Sequence, residues 1–422
     1  MAQMLLTFLT RVKPDKLDEL RGILDNDIAA NLLDNPYLPF PSLTRLHFAS
    51  LFLDEGTTYG SYLVFENNFD GPLDDYLAEL YTQAAPGLHR IYGCCLDYTA
   101  ASAADREGIL AYLRKHIVRP NAYHIGNPGR SVARTLRESG LRDRLESFLD
   151  DFVRAEPSGQ QPGLIRKKVQ DFIRDEPESA WVAQAEPRQT RREWFTPRLK
   201  LGLLIVAAFL LLPILIPVAI IWAVVLRYKE KRDPVPDKFD DIVRRVGGLV
   251  EREDRTHVVQ NHLAHMTVLK PGLFRRCTLW LVLWLVNFVA RTSDKGKLSG
   301  IPSIHYAHWS MIDNGRRLLF VSNFDGSWEN YLDDFIDKAS YGLTAVWSNT
   351  QHFPRTFFLF GQGADDGSRF KAWARDKQVY TNVWYCAYPS LTVETIDNNS
   401  DIREQLYAAA DESAAREWLW RF

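Results

Sequence analysis

An uninterrupted apolar run at residues 201–226 (LGLLIVAAFLLLPILIPVAIIWAVVL) constrains this chain more than any other stretch. It holds no charged residue. Arg188, Arg191, Arg192, Arg198 and Lys200 precede it, and Arg227, Lys229, Lys231 and Arg232 come after it. As one helix at ~1.5 Å per residue it would reach about 39 Å, against a hydrocarbon core of about 30 Å. A helix apolar on every side needs apolar cover on every side. The run is therefore expected in a bilayer, with Leu201, Leu212, Pro213, Pro217, Trp222 and Leu226 against lipid. Basic residues on both flanks assign both ends to the cytoplasmic side. A proline removes a helical hydrogen bond. Pro213 and Pro217 thus predict, beside a single span, a re-entrant hairpin in which 201–212 enters and 219–226 returns.

The rest of the chain reads as water-soluble. Charged residues make up 25% and apolar residues 46% of it, which is ordinary for globular protein. A net charge of -2 gives no case for nucleic acid, and the basic residues around the apolar run suit an anionic bilayer surface. Cys94, Cys95, Cys277 and Cys386 have neither a disulfide framework nor zinc-ligand spacing, which favours a reducing compartment. The apolar start of the chain is too short for a signal peptide and lacks a basic region before it, so the N-terminus is expected in the cytoplasm.

The segments on either side of the apolar run have related sequences. "RVKPDKLDEL" matches "VLKPGLFRRC", "RLHFASLFLD" matches "SIHYAHWSMI", and "ENNFDGPLDDYLAEL" matches "VSNFDGSWENYLDDF". Toward the end of each segment, Val118/Val379, Asn121/Asn382, Pro128/Pro389, Val132/Val393 and Arg142/Arg403 are identical in one ungapped register. Register kept this long predicts an internal duplication. Each copy reads strand-helix-strand-strand-helix-strand, the ferredoxin-like order. The expected fold is α+β: a first ferredoxin-like repeat at 1–155, a linker with an amphipathic basic helix at 156–200, the membrane segment at 201–226, a basic linker at 227–254 and a second repeat at 255–422. The linker helix, 164–175, is expected on the bilayer surface or docked as an ordinary soluble helix.

The helix after Lys270-Pro271 differs between copies. Gly22, Asp25 and Asn26 are replaced by Leu279, Val282 and Leu283, which predicts an outward face turned apolar. At about 14 residues, 277–290 is too short to span. Trp280 and Trp284 would sit at headgroup level, and a homodimer contact is the alternative reading.

The element order, the duplication and the Phe-Asp-Gly motif of both copies (Phe69-Asp70-Gly71, Phe324-Asp325-Gly326) resemble the tandem members of the dimeric α/β-barrel superfamily, which includes chlorite dismutases and dye-decolourising peroxidases. The resemblance covers 1–150 and 255–410. It implies two sheets closing one α/β barrel, and a functional second copy. It also implies haem, with Asp325 as distal acid, Arg355 as the charge-stabilising group, and His305 or His352 as iron ligand.

From the residues alone, Asp70 and Asp325 read as helix caps. Strand alternation sets His305 opposite His308 and His262 opposite His265, so a site would take one histidine from each of two strands, such as His262 with His305. The competing reading is a set of buried, hydrogen-bonded strand histidines. "GQGADDG" (361–367) reads as a turn, since it lacks the Lys-Ser/Thr of a phosphate loop. The functional expectation is a membrane protein with both repeats facing the cytoplasm, binding a small lipid-soluble ligand. A haem-dependent peroxidase and a dimerising membrane scaffold are the alternatives.

Overall fold

Nine-residue strands buried at nearly every position form the centre of the molecule, because helices cover one side of each sheet and the other sheet covers the second. The computed structural model describes residues 3–56, 58–155, 161–183, 206, 209–234, 249–250, 259–292, 297–408 and 411–422. In chain order the elements are β1 (Gln3–Arg11), α1 (Leu17–Gly22), β2 (Leu46–Asp54), β3 (Tyr62–Asp70), α2 (Leu73–Tyr92), α3 (Arg106–Lys115), β4 (Ile117–Val118) and β5 (Ala122–Ile125). The helices α4 (Val132–Ala155), α5 (Pro162–Asp175) and α6 (Leu212–Glu230) are next. Then come β6 (Gln260–Val268), α7 (Leu273–Thr292), β7 (Ile304–Ile312), β8 (Arg317–Asp325), α8 (Trp328–Trp347), β9 (Thr356–Phe357), β10 (Gly361–Gln362), α9 (Gly367–Lys377), β11 (Gln378–Val379), β12 (Thr381–Cys386), α10 (Val393–Leu406) and α11 (Glu412–Leu419). The chain divides into two units, Met1–Val132 with Pro217–Thr392, and Ala133–Ile216 with Val393–Phe422.

The first unit holds two five-stranded antiparallel sheets, ordered β12-β2-β3-β1-β4 and β11-β6-β8-β7-β5. Each takes an edge strand from the opposite half of the chain. After β4 on the first sheet, the chain pairs as β5 with β7 of the second (Ala122↔Trp309, Ile125↔Tyr306). After β11 on the second, it pairs as β12 with β2 of the first (Thr381↔Phe52, Cys386↔Phe48). An asparagine secures each crossing. Asn121 Oδ1 accepts from Met311 N at 2.7 Å, and Asn382 Oδ1 accepts from Leu53 N at 3.1 Å.

The sheets face each other across Phe52, Val64, Ala264, Ile312, Leu319 and Val321. The expected closed barrel is absent. Among the described residues each sheet ends in an edge strand, and no hydrogen-bonded ladder joins one sheet to the other. Exchange of β5 and β12 extends the two sheets instead of rolling them into one. On its outer face the first sheet carries Leu20, Leu24, Leu77, Leu80, Leu88, Ile109 and Leu113. The second carries Leu283, Tyr331, Phe335, Trp347 and Trp373. Comparable details recur in both halves. Phe69 stacks on Tyr76 at 4.0 Å and Phe324 on Tyr331 at 3.8 Å. Lys13 Nζ donates to Gly93 O at 2.8 Å, and Lys270 Nζ to Ser348 O at 2.7 Å.

In the second unit α5 is a docked helix, not a surface-lying one. Val169 and Ile173 are buried with Leu141, Leu145 and Trp418, and Phe172 stacks on Phe148 at 4.5 Å. Its Arg166 donates to the Ala408 carbonyl at 2.8 Å, which fixes the docked position. Glu138 of α4 is buried between Arg134 and Arg403, each at 2.8 Å.

Two membrane expectations change. Pro213 and Pro217 do not form a hairpin turn, because α6 runs through both from Leu212 to Glu230. Pro213 falls in the first turn, where its missing N–H has no helical acceptor to lose, and Pro217 forfeits one bond. Leu201 lies outside the described residues. The helix after Lys270-Pro271 has 20 residues, longer than expected, and its face is rotated from expectation. Leu279, Val282 and Leu283 are core residues, whereas Trp280, Leu281, Trp284, Leu285 and Val289 are exposed. Leu279, Val282 and Leu283 thus serve the core, and a different stripe of the helix forms the apolar surface.

Candidate functional site

The motif Asn-Phe-Asp-Gly ends β3 and β8, and each residue in it has a separate task. Asn68 and Asn323, 255 positions apart, meet each other between the sheets, with Asn323 Nδ2 donating to Asn68 Oδ1 at 3.0 Å. Phe69 and Phe324 stack on Tyr76 and Tyr331. Asp70 Oδ1 lies 3.0 Å from His47 Nε2, and Asp325 Oδ1 lies 2.8 Å from His305 Nε2. Gly71 and Gly326 turn the chain with φ of 92° and 81°, a conformation open to glycine. The aspartates are therefore not helix caps. No side chain caps α2, and Ser327 caps α8 by accepting from Asn330 N at 3.2 Å.

Bulges bring the histidines to these carboxylates. The β2–β3 register shifts between Leu46 and Phe48, and the β7–β8 register between Ile304 and Tyr306. The second shift breaks simple alternation. His305 lies 5.1 Å from the Phe48 ring, and His308 Nε2 lies 3.1 Å from Thr7 Oγ1, so both face the first sheet rather than opposite sides. His262 and His265 do diverge as expected. His262 packs on Phe52, while His265 lies on the outer face among Phe320, Trp347 and Trp373. Burial pushes the His265 pKa down to about 3, and the ring is a neutral core residue.

Between the two His–Asp pairs and the apolar centre lies a buried polar layer. Asn68 Nδ2 donates to Glu66 Oε1 at 2.6 Å, and Ser50 Oγ to Glu66 Oε2 at 3.3 Å. Trp384 Nε1 donates to Asn323 Oδ1 at 2.8 Å. Burial raises the Glu66 pKa to about 7 and lowers that of His308 to about 4. His308 Nδ1 is 4.0 Å from Glu66, but with the imidazole neutral near pH 7 this is not an ion pair. The sequence does carry a signal for Glu66: Glu66, Asn68 and Asp70 alternate along β3 and mark the polar end of its inner face.

The residues expected to hold haem are not brought together. His305 gives Nε2 to Asp325 and lies beside the Phe48 and Tyr388 rings, so Asp325 faces a histidine instead of an open slot. The equivalent His47 uses both nitrogens, with Nδ1 2.7 Å from the Tyr388 hydroxyl. His352 and Arg355 are exposed, and His352 occupies a left-handed turn at φ 62°. This arrangement does not fit the haem site that the resemblance implies. Among the described residues no group of three or more His, Cys, Asp or Glu is placed to hold a metal ion.

His262 has different surroundings. It lines a cavity of about 550 Å³ beside the β11–β12 crossing, with Asn261, Asn382, Trp384, Leu32 and Leu33. Its Nδ1 lies 2.8 Å from Thr381 Oγ1. The cavity is mostly apolar with a few polar groups, the usual make-up of a small-molecule site.

The other distinctive surface belongs to α6 and α7. Both are long and apolar enough to cross a membrane, and only 6% of the α6 span and 28% of the α7 span is buried. They touch near the end of α6, where Trp222 Nε1 donates to Thr278 Oγ1 at 3.1 Å and Trp222 stacks on Phe274. Leu226 is fully buried. Beyond it, Asp233 accepts from Lys270 at 2.6 Å and from Arg275 at 2.5 Å. No family model, curated protein or solved structure matches the chain.

Glu66 gives the fold a pH dependence. Folded, it keeps its proton to about pH 7; unfolded, only to near 4.5. Between these values the folded state binds more protons, so stability falls as pH rises, by an amount on the order of 3 kcal/mol once pH exceeds 7. Glu66→Gln is expected to match the wild type near pH 4.5 and to exceed it by about that amount at pH 8. Denaturant unfolding in detergent at the two pH values measures the difference. Equal stability of the two proteins at pH 8 would refute the assignment.

Proposed function

We propose that this chain is a membrane-attached protein that binds a small apolar ligand, built from two ferredoxin-like copies that arose by duplication. The observation that carries the reading is the near-complete exposure of α6 over a span of mean hydropathy 1.8, held through Trp222, Leu226 and its basic end. Exposing Ile220, Ile221 and Val224 to water would forgo about 1.5–3 kcal/mol each, which a bilayer restores. Arg227, Lys229, Lys231 and Arg232 then lie at the level of anionic headgroups. Because β5 and β12 interleave the two halves, both belong on one face of the membrane, and basic residues on both flanks of the apolar run make that face the cytoplasmic one.

The cavity beside His262 is the proposed ligand site. Leu32, Leu33 and Trp384 would cover an apolar or aromatic body, and Asn261, His262 and Asn382 would meet one or two polar atoms on it. The peroxidase reading has no support from the placement of Asp325, Arg355, His305 and His352.

Membrane attachment is tested by flotation with phosphatidylcholine–phosphatidylserine vesicles after alkaline extraction. Wild type should float and the Ile221→Asp/Val224→Asp double variant should not. A wild-type protein left in the soluble fraction sinks the membrane reading, and a soluble dimer that Trp284→Asp dissociates would favour the scaffold reading instead. The ligand site is tested with a short-chain naphthoquinone as probe. Tryptophan fluorescence should be quenched saturably, and Ala29→Trp, which fills the cavity, should weaken binding at least about tenfold. Unaltered binding by that variant would place any ligand elsewhere.

A further inference from the structure

The short hairpin β9–β10 carries the sequence Thr-Phe-Phe-Leu-Phe-Gly, and its backbone is unusual. Phe358 and Leu359 are consecutive residues with positive φ, 49° and 72°. Bulky side chains adopt that region at a cost, and a pair in succession persists only where the surroundings dictate it. Here the cause is Glu230, the last residue of α6, whose side chain is buried. Its carboxylate accepts from Phe358 N at 3.0 Å, from Leu359 N at 2.8 Å and from Thr356 Oγ1 at 3.0 Å. Two successive backbone N–H groups thus converge on one carboxylate, as in an anion-binding nest. Arg227, one turn earlier, donates to Glu230 at 3.1 Å and to the Thr356 carbonyl at 3.2 Å, and lies 4.6 Å over the Phe357 ring.

The consequence is directional. Leu359 turns into the core, while Phe357, Phe358 and Phe360 are 50%, 40% and 49% exposed. Three exposed phenylalanines in four residues are unexplained by folding, since the turn needs only Leu359 inside. They are fixed to the basic end of α6, close to Arg227, where a bilayer-inserted helix would pass through the headgroup layer.

We propose that this hairpin is an interfacial wedge that enters the headgroup–acyl boundary of an anionic bilayer, and that Glu230 is the positioning residue that shapes it. The inference rests on the reading of α6 as a membrane anchor. Charge complementarity selects the occupant: Arg227 contacts the hairpin, Lys229, Lys231 and Arg232 follow it along the chain, and the group suits anionic lipid. Aromatic rings below a cationic collar are the arrangement that holds a surface segment at a fixed depth.

The test uses the full chain with Cys277→Ser, which leaves Cys94, Cys95 and Cys386, all buried. A nitroxide is attached at Phe358→Cys or, as control, at the exposed Glu107→Cys on α3. Vesicles contain three parts phosphatidylcholine to one part phosphatidylserine. On binding, the label at 358 should lose contact with a water-soluble nickel complex several-fold and gain contact with oxygen, while the label at 107 stays unchanged. Adding Glu230→Ala should return the 358 label toward the aqueous value. If the protein floats but the label at 358 remains as open to nickel as that at 107, the wedge is refuted and the membrane reading stands. Shielding from both quenchers with dipolar broadening would mean a second copy covers the hairpin and would also refute it. A protein that does not float refutes both.

Discussion

The contact between Asn68 and Asn323 joins two sheets that neither half of the chain could complete alone. Each asparagine lies near the end of a strand whose inner face turns from apolar to polar there, and Glu66, Asn68 and Asn323 are fully buried. Burying them without partners would cost more than the apolar contacts around them return, so the layer has to be satisfied across the interface. Glu66 and Ser50 pair within the first sheet, while His308 Nε2 with Thr7 and Trp384 with Asn323 pair across the interface. The His47–Asp70 and His305–Asp325 pairs close the same layer at its end. His47 and His305 each give a ring nitrogen to a carboxylate on a neighbouring strand, whereas His352 is exposed and His262 lines the cavity, so the residues expected to bind a cofactor are not gathered in one place.

Much of the fold was legible in the sequence. Alternation and helical periodicity located the long strands and most of the helices, and textual matches aligned elements that have the same partners in both halves. What escaped involved pairings at long range. Nothing local in Ala122–Ile125 or Thr381–Cys386 says which sheet each will join, although the identity of Asn121 and Asn382 in register was a signal, since both stitch the crossings. The bulge before Tyr306 was invisible because one extra residue in a strand has no compositional mark, yet it moves His305 to the other face. Phe-Asp-Gly before a helix suggested capping. The carboxylate found a histidine on the adjacent strand instead, and only the register of β2 with β3 could have revealed it.

The apolar segment was the plainest sequence feature and the one whose shape changed most. Prolines expected at a turn sit at the start of a helix and within it, and leucines expected to face outward fill the core of the second sheet. The apolar surface that remains is shared by two helices in contact, beside a basic collar and an aromatic hairpin held by Glu230. β5 and β12 tie together the chain on both sides of this segment. The proposed attachment is one-sided, with the cavity beside His262 in the same body.

That claim is most directly tested by sidedness. Single cysteines at Glu107, on the helix of the first half, and at Lys371, on α9 of the second, would be labelled with a membrane-impermeant maleimide in intact and inverted membrane vesicles, in the Cys277→Ser background. Both should react only in inverted vesicles. Reaction of one from each side would contradict the claim, because no arrangement with interleaved sheets permits that outcome.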